Sequence, residues 1–290
     1  MTTAPNGGGP TVRRMQLGAR LRTLRESRGI TREAAGYAIR GSESKISRME
    51  LGRVGFKERD VTDLLGLYGV DDVRELDRMM TLLREANAPG WWQPYSELLA
   101  PWFQTYLGLE EASTLIRTYE VQFVPGLLQT EAYARAVIML GHGQADVSEL
   151  DRRVALRMTR RSLLDRPNGP RLWAVIDEAV LRRPIGGRAV LRQQVAHLLD
   201  RCEHPSVRLQ VIPFLSGGHA AAGGAFTILR FPSEELTDTV YIEQLTSALY
   251  LEKPDDVDRY TGAISKLFIE ADPPSRTPDI LRGVLRDLED

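Results

Sequence analysis

Apolar residues first settle into a helical rhythm at Leu17, Leu21 and Leu24, and the run halts at Gly29, a residue suited to closing a helix. Thr31 offers a side-chain oxygen to the free amides of a helix start, which predicts a second, short helix through Ile39. Its small residues Ala34, Ala35 and Gly36 let another helix approach closely. Arg40 and Gly41 break the chain, and Ser42 predicts the cap of a third helix from Glu43 to about Leu51, ended by Gly52. Val61, Leu64, Leu65 and Tyr68 share one face of a fourth helix that stops at Gly69, and 71–87 supplies a fifth with aspartate at its start.

Proline and aromatic residues crowd 88–106 and mark a boundary. Helical patterns resume over 109–120, 129–140 and 146–166, with a turn at Pro125 and Gly126 between the first two. After Pro170 the period changes. Segments 171–177, 206–214, 224–231, 239–245 and 247–253 alternate or run apolar with β-branched and aromatic residues, and helices over 188–204 and 254–272 interrupt them. The expected architecture is therefore multi-domain: an all-α helix-turn-helix N-terminal domain at 13–88, preceded by a disordered tail at 1–12, then a larger α+β domain with a mixed sheet at 89–290.

At 290 residues, 42% hydrophobic and 27% charged, the chain is long enough for two cores. No apolar run is long enough to span a bilayer and no signal peptide opens the chain, so a cytoplasmic, nucleoid-associated protein without membrane contact is expected. Cys202 is the single cysteine, which excludes an intrachain disulfide and a multi-thiolate zinc site. Charge adds what the averages hide. Residues 11–70 carry thirteen basic and seven acidic side chains, a surplus of six, and with 1–10 uncharged the formal net charge of −1 leaves −7 for 71–290. A basic head on an acidic body is the footprint of a chain in which one domain meets phosphate.

The third helix suits the DNA major groove. Ile46 and Met49 point inward with Ile39, which leaves Glu43, Ser44, Ser47 and Arg48 outward as candidate base contacts. Arg48 can fork onto guanine O6 and N7, Glu43 can accept from cytosine N4, and the serines serve either base or phosphate. Arg32, Ser42, Lys45, Arg53 and Lys57 lie at the rim as candidate phosphate contacts. Arg25 and Glu50 are expected to form a structural salt bridge locking the first helix to the third.

These residues resemble the Xre/Cro-type helix-turn-helix regulators, through Gly29, Thr31, Ser42, Ser44, Ile46, Ser47, Glu50 and Gly52. Arg40 stands where the pattern has glycine, Gly41 where it has an apolar residue, and Arg32 where it has glutamine. The larger half is similar to an uncharacterised, DUF5753-like domain that follows such heads in actinobacterial regulators, carried by FVPGLLQTEAYARAV, IDEAVLRRPIGG, QVIPF, GGAFTILRF and VYIEQL. The resemblance implies a transcriptional regulator of double-stranded DNA, often encoded beside a small partner protein.

A single recognition helix reads few base pairs, so a homodimer is expected, with control through the larger half by a small-molecule effector or a small neighbour-encoded protein. The alternative is an antitoxin-like protein that sequesters that neighbour and autoregulates through its head. Trp91, Trp92, Tyr95 and Trp102 are candidates for a ligand pocket, with interdomain packing the plainer reading. No metal set, cofactor motif or nucleophile with its base stands out, so no enzyme is expected. His197, Cys202 and His204 lack a recognised ligand spacing, and Gly217, Gly218, Gly223 and Gly224 precede a strand rather than a helix. Asp177 and Glu178 with Arg182 read as a helix start, and Arg152, Arg153, Arg157, Arg160 and Arg161 as a solvated face.

Overall fold

Proline lacks the amide that would be unpaired in the first turn of a helix, and α1 (Pro10–Ser27) starts on one. The computed structural model describes residues 9–232 and 236–289. Helix α1 thus begins before the leucine rhythm announces it. Residues 10–12, expected in the tail, are helical because Thr11 and Val12 are buried, Val12 to 1% exposure; residues 1–8 of that tail lie outside the described residues.

Four more helices follow: α2 (Arg32–Ala38), α3 (Glu43–Glu50), α4 (Glu58–Leu67) and α5 (Val73–Ala86). Thr31, Ser42 and Asp72 cap α2, α3 and α5 through their side chains. Leu17, Leu21, Ile39, Ile46, Met49, Val61, Leu64, Leu65, Tyr68, Met79 and Leu83 form one buried core. Gly29, Gly52 and Gly69, each at φ +65°, end α1, α3 and α4. The amide after each of them reaches back to close the last turn.

Contacts divide the chain into two units, and the helical unit takes in more than 13–88: it runs to Pro94 and adds Gln104–Ala112 of α6 (Pro101–Ala112). Gly108 of α6 lies against Thr11, where a β-carbon would come within 2.0 Å of the Thr11 hydroxyl.

The second unit is built on a six-stranded sheet in the order β3-β2-β1-β4-β5-β6. Its strands are β1 (Leu115–Glu120), β2 (Arg171–Asp177), β3 (Val207–Ile212), β4 (Phe226–Arg230), β5 (Thr239–Glu243) and β6 (Ala248–Leu251). The first three run parallel, which demands long crossovers. Helices α7 (Glu131–Gly141) and α8 (Val147–Arg161) make one crossover, and α9 (Glu178–Arg182) and α10 (Arg188–Arg201) the other. The remaining strands pair antiparallel, with β4 against β1 so that Leu115 faces Arg230.

Strand β1 overturns an expectation, since 109–120 reads as one helix. Ser113 and Thr114 break it in two, and Leu115–Glu120 becomes a strand because β2 and β4 supply its backbone partners on both sides. Its Arg117 is buried with Asp238 as an ion partner at 3.4 Å. Helix α11 (Pro254–Glu270) lays Val257, Ile264 and Leu267 on Tyr119, Val175, Ile212, Phe226, Ile228 and Val240. The free edge of β3 is covered: Asp272 N donates to Val211 O at 3.0 Å and Thr277 Oγ1 to Leu209 O at 2.7 Å. Thr277 opens α12 (Thr277–Asp287), a helix the sequence pattern did not single out.

Candidate nucleic-acid interface

Helix α3 is fixed at both ends and along one side before any of its outward residues can act. At its start Lys45 N donates to Ser42 Oγ at 3.2 Å. Its inner face is Ile46 and Met49, at 1% and 2% exposure. Close approach on two sides completes the seat: a β-carbon on Gly36 would sit 3.0 Å from the Ser42 backbone, and one on Gly18 only 2.4 Å from Met49 O. Neither position tolerates a side chain without moving α3.

At the far end of α3, Glu50 draws together three helices. Arg25 Nε donates to Glu50 Oε1 at 2.5 Å and Arg25 NH2 to Oε2 at 3.2 Å, while Arg32 Nε donates to Oε2 at 3.0 Å. Arg25 also donates to Ile30 O at 2.8 Å. The hydrogen bond and charge of Glu50 raise the Arg25 pKa above its ordinary value. Tyr68 is buried beside this cluster, and burial first, then the Glu50 charge, pushes its phenol up to about 12.

Outward of this frame lie Glu43, Ser44 and Arg48, all exposed, with Ser47 half-buried. Arg48 makes no side-chain hydrogen bond or ion pair among the described residues, so its guanidinium is available for bidentate contact.

The rim residues divide. Ser42 is exposed, and its hydroxyl proton stays available while its oxygen caps α3; Lys57 is exposed at the start of α4. Arg32 is half-buried, and its Nε serves Glu50. Lys45 is tied across to α4, with its ammonium 2.5 Å from Asp60 Oδ2. Arg53 is half-buried just past the helix.

Sequence reasoning did not offer two exposed residues of the motif, Tyr37 and Arg40, as contacts. Tyr37 of α2 is 87% exposed, and a large ring standing free in a helix of small residues was the signal. Arg40 is exposed and holds φ +52°, and around it Arg40 N donates to Tyr37 O and Gly41 N to Gly36 O. This is the left-handed helix end usually made by glycine. Arginine has taken the conformation that the family pattern assigns to a glycine.

Family models match both parts of the chain. A helix-turn-helix domain matches residues 16–79, and a domain of unknown function (DUF5753) matches residues 103–283. This chain belongs to the DUF5753 family. In this DUF5753 protein the helix-turn-helix match spans all the residues assigned to the interface, and it supports a DNA-binding regulator. No curated protein and no solved structure matches the chain. Among the described residues no helix is long and apolar enough to cross a membrane.

Candidates beyond the helix-turn-helix match fall out differently. Trp91 and Trp92 belong to the helical unit, where they meet edge to face at 5.9 Å; Tyr95 and Trp102 belong to the sheet unit. There Arg152 lies over the Tyr95 ring at 5.9 Å, and Trp102 O accepts from Tyr250 at 2.6 Å. Of the α8 arginines expected as a solvated face, Arg152 is exposed, whereas Arg153, Arg157 and Arg161 are half-buried and Arg160 is buried. Arg153 donates to Leu98 O at 2.9 Å and Arg160 is buried beside the Phe103 ring, while Arg157 donates to Gln129 Oε1 at 2.8 Å and Arg161 to Gln129 O at 3.3 Å, which ties α8 to the 124–130 loop. Asp177 caps α9 and Glu178 pairs with Arg182 one turn on, as a helix start requires. Among the described residues no three His, Cys, Asp or Glu side chains are grouped to hold a metal. Burial pushes the Cys202 thiol up to about 11, which leaves it protonated and unreactive.

Proposed function

We propose that the chain is a sequence-specific transcriptional regulator that binds a two-fold site on double-stranded DNA as a homodimer, its sheet unit regulating rather than catalysing. The observation that carries this reading is Arg48. On a helix whose cap, inner face and far end are all engaged, it is an exposed cation with no partner of its own among the described residues. A guanidinium held rigidly but unpaired on a groove-sized helix suits guanine recognition. The surplus of basic side chains in 11–70 supports phosphate binding around it.

A gel shift on the DNA upstream of the chain's own gene, repeated over a range of salt, is the test. Arg48→Ala should weaken binding by about 1–3 kcal/mol and relax preference at one base position. Lys57→Ala should weaken all sequences alike and lower the salt slope by about one. Unchanged affinity and selectivity in Arg48→Ala would remove Arg48 from the reading face.

A further inference from the structure

Between Gly217 and Phe226 the chain carries nothing bulkier than alanine except His219, and a cleft of about 230 Å³ opens where larger side chains would pack. The Ala220–Ala225 segment lines it together with Phe226, Ile242 and Tyr260. Phe226 and Tyr260 meet edge to face at 4.9 Å, which makes that part of the lining aromatic. Tyr119 packs on Phe226, and its hydroxyl lies 2.8 Å from His219 Nε2, which ties the segment before Ala220 to β1.

One charged residue lines this apolar cleft. Arg259 of α11 is exposed and makes no hydrogen bond or ion pair among the described residues; Asp255 and Asp256, a turn earlier, are not paired with it. The loop can adjust. Gly217 and Gly224 hold φ +71° and +93°, and a β-carbon at Gly217, Gly218, Gly223 or Gly224 would meet nothing within 4 Å.

Pockets for small molecules pair apolar walls with a few placed polar groups, and a guanidinium is the group that holds a carboxylate by two parallel bonds. A cavity of roughly 150 Å³ takes up benzene. This cleft therefore has room for one ring and a short acid chain. We propose that it binds a small monocarboxylate, with the aryl or aliphatic tail against Phe226, Tyr260 and Ile242 and the carboxylate on Arg259. As an effector site it rests on the regulator reading above, whereas occupancy of the cleft does not.

Calorimetry on the full chain tests occupancy, with 3-phenylpropanoate as probe, 3-phenylpropan-1-ol as its uncharged counterpart and inorganic phosphate as an anion without a tail. The acid should bind, and the alcohol and phosphate should each bind at least about tenfold more weakly. Arg259→Gln should bring the acid down to the level of the alcohol. Ala263→Phe, which fills the cleft from α11, should abolish binding of both with an unchanged melting temperature. Equal binding of acid and alcohol, full binding by Arg259→Gln, or no binding heat from the acid at millimolar acid concentrations would overturn the site. A gel shift with and without the acid separates the two readings. Loss of DNA retention in both arms with acid still bound counts against the regulator, and absent acid binding with DNA retention intact counts against the cleft alone.

Discussion

Glu50 accepts from Arg25 at 2.5 Å, and both side chains are buried, at 3% and 8% exposure. A buried pair is costly to break one partner at a time, because the survivor is left charged without compensation. Glu50→Ala should therefore lower the stability of the helical unit by about 3–5 kcal/mol. Arg25→Met should cost less, since Arg32 still reaches Glu50 at 3.0 Å. Thermal unfolding of the full chain followed by circular dichroism ranks the two, and equal losses would mean that Arg32 contributes nothing.

Arg40 carries strain that can be relieved. A non-glycine residue in the left-handed region is disfavoured by roughly 1–2 kcal/mol, part of which glycine returns as unfolded-state entropy. Arg40→Gly should stabilise the chain by about 0.5–1 kcal/mol. If the same variant also loses DNA affinity, the exposed guanidinium contacts phosphate; if it loses stability, the turn is not strained.

Gly18 sets the distance between α1 and α3. A β-carbon there would lie 2.4 Å from Met49 O and 2.6 Å from Glu50 O, backbone atoms that cannot swing aside. Gly18→Ala should cost roughly 1–3 kcal/mol, as overpacking does. It should also weaken the gel shift, because the displaced helix is the one bearing Arg48. A thermal midpoint within a degree of the parent would show that the helices separate freely.

Glu120, at the end of β1, makes stability pH-dependent. Burial first, then the nearby Glu243 charge, raises its carboxyl to about 8, against the pull of Arg160 and Arg157; Tyr133 stands beside it. The folded protein thus holds this proton more tightly than the unfolded chain, whose glutamate titrates at about 4.3. Stability from this group is intact below the unfolded value and declines as pH climbs through the window up to about 8. Glu120→Gln cannot ionise, so its melting temperature should gain on the parent steadily from pH 5 to pH 8. A constant difference across that range would contradict the assignment.

The helical unit was legible because its signals are local. Thr31, Ser42 and Gly52 each act within one turn of where they stand, and Ile46 with Met49 expose the inner face of α3 by spacing alone. The Arg25–Glu50 contact was legible for a related reason: opposite charges stand near the ends of neighbouring helices. The Lys45–Asp60 contact was not, since only the placement of α4 brings Asp60 within reach of α3. Strand β1 was hidden because its partners Arg171 and Arg230 are remote in sequence, while the preceding Leu-Glu-Glu-Ala carries a helical period. Arg157 and Arg161 mislead in the same way, as their acceptor Gln129 sits in the 124–130 loop rather than on their own helix.

Where β1 sits in the sheet also dictates when the second unit can exist. Leu115 has one neighbour strand ending at Asp177 and another beginning at Phe226, so the centre of the sheet cannot close until the ribosome has released residues beyond Arg230. Non-local pairing of this kind is slow, whereas the helical bundle before Pro94 has all five of its helices once α5, which packs on α1, is made. A nascent chain should therefore expose a finished recognition helix while its sheet is still open, and a message truncated anywhere before β4 yields a head with no folded companion.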